Sequence, residues 1–270
     1  MTLDRVTADG LVLLGCGKMG TALLTGWLGA GVPPGSVWVI EPNPTDWLRA
    51  SGVQLNQGVP PKPAVALLAV KPQMMGAALP ALRALGGGGT LFVSIAAGTT
   101  IASFEAALGA NTPIVRTMPN TPAMVGRGIT AICGNKHATA ADLSLARALM
   151  AAVGQVVDLE GEHQIDAVTA VSGSGPAYVF HLIEEMAAAG QAQGLPAAIA
   201  MQLARATVCG AGELAHRSPD TAAQLRINVT SPGGTTAAAL AVLMDPDTGF
   251  PALLRRAVKA AADRGRELGK

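Results

Sequence analysis

Aromatic side chains are scarce in this chain: one Tyr, four Phe and three Trp make up 3% of 270 residues. Because 50% of the residues are nonetheless hydrophobic, the core must be built from Ala, Leu, Val and Ile at close range. That suits tight helix pairs and buried strands. Charge is also sparse, at 14% with a formal net charge of +1. There is no basic field for nucleic acid and no acidic tail for a basic partner. Long hydrophobic runs are missing, since nowhere do about 18 apolar residues follow one another. The first run, Leu11–Leu14 after Asp4 and Arg5, is too short for the core of a secretory signal. No membrane partner is expected, and the expected location is cytoplasmic. The three cysteines, Cys16, Cys133 and Cys209, form no C-x-x-C pair and leave an odd thiol under any pairing, which fits a reducing compartment. The four histidines, His137, His163, His181 and His216, show no ligand spacing, so no metal is expected.

What is present divides the chain in two. Up to about residue 160, short apolar runs alternate with helical stretches, the rhythm of βαβ units and a parallel sheet. The runs Leu11–Leu14, Val37–Ile40, Val65–Val70, Leu91–Ile95, Ile114–Arg116, Ile129–Cys133 and Val156–Leu159 read as strands. Thr99 or Thr100 is placed to cap one helix. Thr139-Ala-Ala-Asp142 opens another, which Gly154 ends. From about Glu162 the pattern turns helical and Ala/Leu/Met-rich, with helices expected over 176–193, 196–216, a shorter one capped by Ser218-Pro219, then 236–244 and 252–268. These helices offer more small apolar faces than a domain of this size hides, which predicts a helical dimer interface.

The first strand breaks into Gly15-Cys-Gly17-Lys-Met-Gly20 and an expected helix from Thr21 to Ala30. In such a G-x-G-x-x-G corner the first glycine permits the turn, the second lets backbone approach a pyrophosphate, and the third lets helix and strand pack closely. The helix N-terminus would face the phosphates. A glycine-rich turn that binds nothing gives the same letters. Glu41, at the end of the second strand, stands where an acid commonly accepts from the adenosine ribose, although a solvated strand-end glutamate would look alike. Strand, turn, helix, strand and acid in register favour a dinucleotide, hence a Rossmann-like, mostly parallel sheet over residues 1–162. A helical domain over 163–270 follows it. Cys16 lies in the glycine turn, where a helix N-terminus lowers a thiol pKa, but a small apolar filler is the favoured reading of the position.

Further loops carry polar groups. Ala69-Val-Lys71-Pro-Gln73 and Ser94-Ile-Ala-Ala-Gly98 leave the carboxyl edge of strands, where ligands of open α/β sheets lie. Met118-Pro-Asn-Thr-Pro122 is a stiff turn presenting amide and hydroxyl groups. Asn228-Val-Thr-Ser-Pro-Gly-Gly-Thr-Thr236 sets hydroxyls around Pro232-Gly233-Gly234 at a helix start. That arrangement binds a small carboxylate without arginine, or else is a plain capped turn.

In order and spacing, G-C-G-K-M-G, A-V-K-P-Q, S-I-A-A-G, R-T-M-P-N-T-P, A-V-S-G-S-G-P-A-Y and N-V-T-S-P-G-G-T-T-A-A-A-L resemble the pyrroline-5-carboxylate reductase family, over essentially the whole chain. The resemblance implies a Rossmann-like N-terminal domain, an all-helical C-terminal dimerisation domain, and reduction of 1-pyrroline-5-carboxylate to L-proline, the last step of proline biosynthesis. It implies a homodimer, with higher assembly of dimers left open. It places NADPH or NADH at Gly15, Gly17, Lys18, Met19, Gly20, Glu41, Asn56, Val70, Lys71, Pro72, Ala97, Gly98 and Asn120. It places the substrate carboxylate on Ser231, Gly233, Gly234 and Thr235, with the Thr236 hydroxyl near the ring nitrogen as the catalytic group. Where many relatives have small polar or basic residues after the second strand, this chain has Glu41-Pro-Asn-Pro44, whose carboxylate favours NADH unless Asn43 or Arg49 turns towards a 2′-phosphate.

Two rival readings differ in sequence. A β-hydroxyacid dehydrogenase would resemble its relatives in a catalytic lysine on a helix of the second domain, and no lysine stands between Lys136 and Lys259. A dinucleotide sensor without catalysis would need the glycine turn but not Ser231–Thr236. The two glycine-rich helix starts are expected to face each other across one cleft.

Overall fold

The computed structural model describes residues 3–269. It packs as two compact units, one comprising residues up to 173 together with those from 261 onward, the other residues 174–260.

The first unit carries an eight-stranded sheet in the order β3-β2-β1-β4-β5-β6-β7-β8. Its strands are β1 (Leu11–Leu14), β2 (Val37–Ile40), β3 (Gln54–Leu55), β4 (Val65–Leu68), β5 (Leu91–Ser94), β6 (Ile114–Met118), β7 (Gly128–Gly134) and β8 (Gly154–Asp158). The helices are α1 (Asp4–Asp9), α2 (Lys18–Gly29), α3 (Asp46–Ala50), α4 (Pro72–Ala78), α5 (Ile101–Leu108), α6 (Ala140–Ala151) and α7 (Ile165–Val168). Strands β1, β4 and β5 are buried along their whole length. They therefore read as continuous apolar runs and not as alternating ones. Alternate residues feed two cores. Leu11, Leu13, Val65, Leu67, Leu91 and Val93 join Leu23, Leu24 and Trp27 of α2 and Leu145 and Leu149 of α6 on one face. Val12, Leu14, Ala66, Leu68 and Phe92 join Met75, Leu82, Ile101 and Phe104 on the other. The fully buried Trp27 donates its indole N–H to the Leu149 carbonyl at 2.8 Å, so its large apolar burial leaves no polar atom stranded.

The sheet is mostly parallel, as expected, with β6–β7 running antiparallel and Arg116 opposite Cys133. Two helix boundaries are corrected. Helix α2 begins at Lys18 inside the glycine motif, three residues before Thr21. Gly154 does not end α6; it opens β8, and a Cβ there would overlap the Gly128 carbonyl across the parallel β7–β8 pair. Thr100 and Thr139 cap α5 and α6 through their hydroxyls, and Thr139 with Asp142 closes a full capping box.

The second unit is helical: α8 (Gly175–Ala192), α9 (Ala197–Arg217), α10 (Ala222–Asn228), α11 (Thr235–Leu243) and the first half of α12 (Phe250–Leu268). The cap of α10 is Thr221, which accepts from Gln224 N–H. Ser218 instead closes a turn by accepting from Asp220 N–H. Among the described residues of this unit, the buried apolar core is Ala187, Ala200 and Ala204 with Ile183 packed on them. Phe180, Ile199, Leu203, Leu214, Ile227, Val242, Leu253 and Leu254 are exposed. A helical unit with so little of its own core must bury that face against another surface.

Candidate active site

Strand order reverses at β1: the chain steps outward to β2 and β3, then returns to β4 on the other side. Loops leaving the carboxyl ends of β1 and β4 diverge at such a point, which is where an open α/β sheet holds a ligand. The glycine turn leaves β1 there. Gly15 has φ +88°, and a Cβ on it would fall 2.8 Å from Val70 Cγ1 and 3.0 Å from the Ala69 carbonyl. A Cβ on Gly20 would meet the Gly15 carbonyl at 2.8 Å, so the first and third glycines serve the turn and the close packing of α2. Gly17 differs, because a Cβ there would meet nothing within 4 Å. It is the exposed N-cap residue of α2 and makes no side-chain cap. The first helical N–H groups are thus left for an outside acceptor, beside the exposed Lys18 and half-buried Met19. This open cradle at a helix start fits the pyrophosphate of a dinucleotide.

Glu41 follows β2 and is held by two backbone donors. Its Oε2 accepts from Cys16 N–H at 2.8 Å and its Oε1 from Asn43 N–H at 2.9 Å. Asn56 clasps the same residue from behind, its Oδ1 accepting from Glu41 N–H and its Nδ2 donating to the Glu41 carbonyl, each at 2.9 Å. Among the described residues Asn56 is the one non-glycine with positive φ, at 54°. Its amide is spent on positioning Glu41. The Cys16 thiol is raised, chiefly by burial; its contact with Thr21 draws it part of the way back and the Glu41 charge adds a smaller rise, so the filler reading holds over that of a thiol with a lowered pKa. Cys16 is a buried filler of the turn.

Lys71 is the exposed N-cap residue of α4, with Pro72 at its first position. Proline there starts a helix as well as ending a strand. Ala97 is exposed after β5, whereas the next residue, Gly98, has φ +75° and its Cβ position lies 3.3 Å from Leu268 of α12. Asn120 is buried, and its side-chain carbonyl accepts from Ile129 N–H at 3.0 Å, fixing the turn after β6.

In the second unit the Ser231–Thr236 loop forms a second uncapped helix start. Gly233 has φ +72° and open space beside it, while a Cβ on Gly234 would come within 2.5 Å of Ser231 Oγ. Gly234 caps α11 without a side-chain bond, so the N–H groups at Thr235 and Thr236 and the hydroxyls of Ser231, Thr235 and Thr236 cluster at one helix end. Ser231 and Thr235 are exposed and Thr236 is half-buried. The free N–H groups and positive end of α11 give it the same chemistry towards a small anion as the first helix start has.

Sequence reasoning missed one group. Arg116 is buried on β6, and its Nη1 donates to Glu162 Oε1 at 2.6 Å; the same oxygen accepts from Ile101 N–H at 2.8 Å. An arginine in an otherwise apolar strand was a signal that a carboxylate must be near, but its sequence position was not given.

A Rossmann-like unit with an open glycine turn, joined to a helical unit with a second anion-binding helix start, defines a dinucleotide-dependent oxidoreductase of two-unit build. Residues 162–268 match the family model described as pyrroline-5-carboxylate reductase dimerisation, and residues 11–98 match NADP oxidoreductase, coenzyme F420-dependent. The chain is 40% identical over 266 residues to the pyrroline-5-carboxylate reductase of Pseudomonas aeruginosa, covering 96% of this chain and 97% of that one. It is 47% identical over 206 residues to that of Synechocystis, covering 76% and 75%. Among solved structures, pyrroline-5-carboxylate reductase from Coxiella burnetii superposes with a TM-score of 0.89 at 33% identity, covering 97% of this chain and 99% of that one. The Plasmodium falciparum pyrroline carboxylate reductase with NADP bound gives 0.81 at 29%, covering 98% and 99%. The chain belongs to the pyrroline-5-carboxylate reductase family. The dimerisation match begins at residue 162, whereas the packing divides after Gly173. Among the described residues no helix is long and apolar enough to cross a membrane.

Proposed function

We infer that this chain reduces 1-pyrroline-5-carboxylate to L-proline with NAD(P)H, the last step of proline biosynthesis. The observation that carries the reading is the pairing, in one chain, of two uncapped helix starts, at Gly17 and at Gly234, each built to receive an anion. The first, with Lys18, Met19, Val70, Lys71, Pro72, Ala97, Gly98 and Asn120 around the switch point, holds the nucleotide. The second holds the substrate carboxylate through the α11 N–H groups and the hydroxyls of Ser231 and Thr235. Reduced nicotinamide, when bound, would supply a hydride to the C=N carbon of the imine, whose ring nitrogen is protonated from solvent. The chain's own part is modest: it orients the ring, and Thr236 Oγ hydrogen-bonds that nitrogen. A protonated cyclic imine is already strongly electrophilic, so orientation outweighs acid strength. The fixed Glu41 carboxylate favours NADH over NADPH by facing the position of a 2′-phosphate. The exposed apolar helices of the second unit are read as the homodimer interface, and the cytoplasm as the site of action.

Purified protein is expected to consume NADH or NADPH only when pyrroline-5-carboxylate is added, with proline as product. Thr236→Ala is expected to lower turnover by roughly 10- to 1000-fold, the range for losing one positioned donor, and Thr236→Ser to restore most of it. No turnover with either nucleotide would overturn the reading.

A further inference from the structure

We propose that Glu162 is a positioning residue for the dinucleotide site, one carboxylate oxygen tying together two of the loops that border it. The inference rests on the cofactor reading above. Glu162 Oε1 accepts from Arg116 Nη1 at 2.6 Å and from Ile101 N–H at 2.8 Å. Arg116 lies on β6 two residues before Met118, where the loop to Asn120 begins. Ile101 is the first residue of α5, directly after the loop that carries Ala97 and Gly98. The Arg116 side chain is only 6% exposed, so its guanidinium depends on this partner for its charge to be met. Thr117 reinforces the same junction by donating to the Ser94 carbonyl at 3.0 Å, which joins the ends of β6 and β5. Met118 is in turn packed on Gly173, where a Cβ would come 2.6 Å from Met118 Cε. The β5–β6 ladder, with Ser94 opposite Arg116, fixes the strand ends, and the charged, shared hydrogen bond of Glu162 carries that spacing beyond the strands to the start of α5.

If Glu162 acts this way, loosening it weakens nucleotide binding without touching the carboxylate site on α11. The test is titration of purified Glu162→Gln with NADH and NADPH, followed by nucleotide fluorescence, alongside amide hydrogen exchange of residues 96–101 in the nucleotide-free protein. Affinity for both nucleotides is expected to fall about 3- to 30-fold, the usual span for residues that act through neighbours, with faster exchange at Ala97, Gly98 and Ile101. The KM for pyrroline-5-carboxylate is expected to stay within about two-fold, below that span. Because an unpaired buried arginine can itself unfold a protein, the double variant Arg116→Met/Glu162→Gln, which removes the charge, is measured beside it. Its stability is expected to recover while nucleotide affinity stays low. Full recovery of affinity in the double variant, or wild-type affinity in Glu162→Gln, would leave Glu162 a stabilising residue only and overturn the proposal. A wild-type chain that binds neither nucleotide would instead remove the cofactor reading on which it stands.

Discussion

Replacing Glu41 by Gln should turn the enzyme towards NADPH. The carboxylate cannot swing away from an incoming phosphate, because Cys16 N–H and Asn43 N–H hold both of its oxygens and Asn56 holds its backbone. Two like charges about 5 Å apart repel by roughly 1 to 3 kcal/mol as the effective dielectric constant falls from that of water to about 20. That corresponds to a factor of about 5 to 150 in kcat/KM. The amide keeps one acceptor and loses the other, so one backbone N–H is stranded at a cost of about 1 kcal/mol in stability. This loss is common to both nucleotides and cancels in their ratio. The assay is therefore kcat/KM for NADPH divided by kcat/KM for NADH, in wild type and variant at equal ionic strength. The ratio should rise about 5- to 150-fold in the variant. Added salt should raise the ratio in wild type but hardly in Glu41→Gln, since only the former has a repulsion to screen. A ratio that stays put in a folded Glu41→Gln protein, or moves towards NADH, would show that no phosphate comes near this carboxylate.

Gly17→Ala should leave the thermal midpoint almost unchanged, since the new methyl enters open space, yet weaken nucleotide binding at least 10-fold by occupying the pyrophosphate's approach. Gly20→Ala should do the reverse in emphasis, lowering stability by about 1 to 3 kcal/mol because its methyl meets the Gly15 carbonyl; equal midpoints for the two variants would contradict this division of labour. The Cys133 thiol is pushed from 9.0 up to about 11, by burial first and the Glu162 charge second, with Arg116 pulling it back. Below pH 9 both folded and unfolded chains keep this proton. Between pH 9 and about 11 only the unfolded chain releases it, so stability falls there by roughly 2 to 3 kcal/mol. Denaturant unfolding of wild type and Cys133→Ala at pH 8 and pH 11 should show the gap between them shrinking by that amount, and a constant gap would refute it.

The parts of the fold that were legible are those fixed by neighbours in sequence. Leu11–Leu14 and Val65–Leu68 announced buried parallel strands because both faces are covered, and Thr139 with Asp142 announced a helix start because a capping box spans three residues. The direction of β7 was not legible, since Gly128–Gly134 has the same burial rhythm whichever way it runs against β6. Nor was β3, two residues long, which exists through pairing with β2 and not through propensity. At the site, the turn at Gly15 and the close packing at Gly20 could be read from the motif. The clasp of Asn56 on Glu41 joins positions fifteen residues apart through a residue in the left-handed region, and no local rule points to it. Cys16 was legible as a filler of the turn, and its burial is what keeps the helix end from lowering its thiol pKa. The Ser231–Thr236 loop could be read in sequence as a glycine-turned helix start, while the substrate proposed for it came from the family resemblance alone.

Helix α12 starts in the helical unit and finishes in the sheet-bearing one, where Leu268 lies against Gly98 and Gly265 against Asp166. In the order of synthesis, the Rossmann-like unit is interrupted at Gly173 and resumes only at Ala261. A ribosome that has delivered every strand has still not delivered this last piece, which presses on a loop assigned to the nucleotide. Truncating the Leu268 side chain therefore spares the whole sheet and the Ser231–Thr236 loop, yet strips the seat from Gly98.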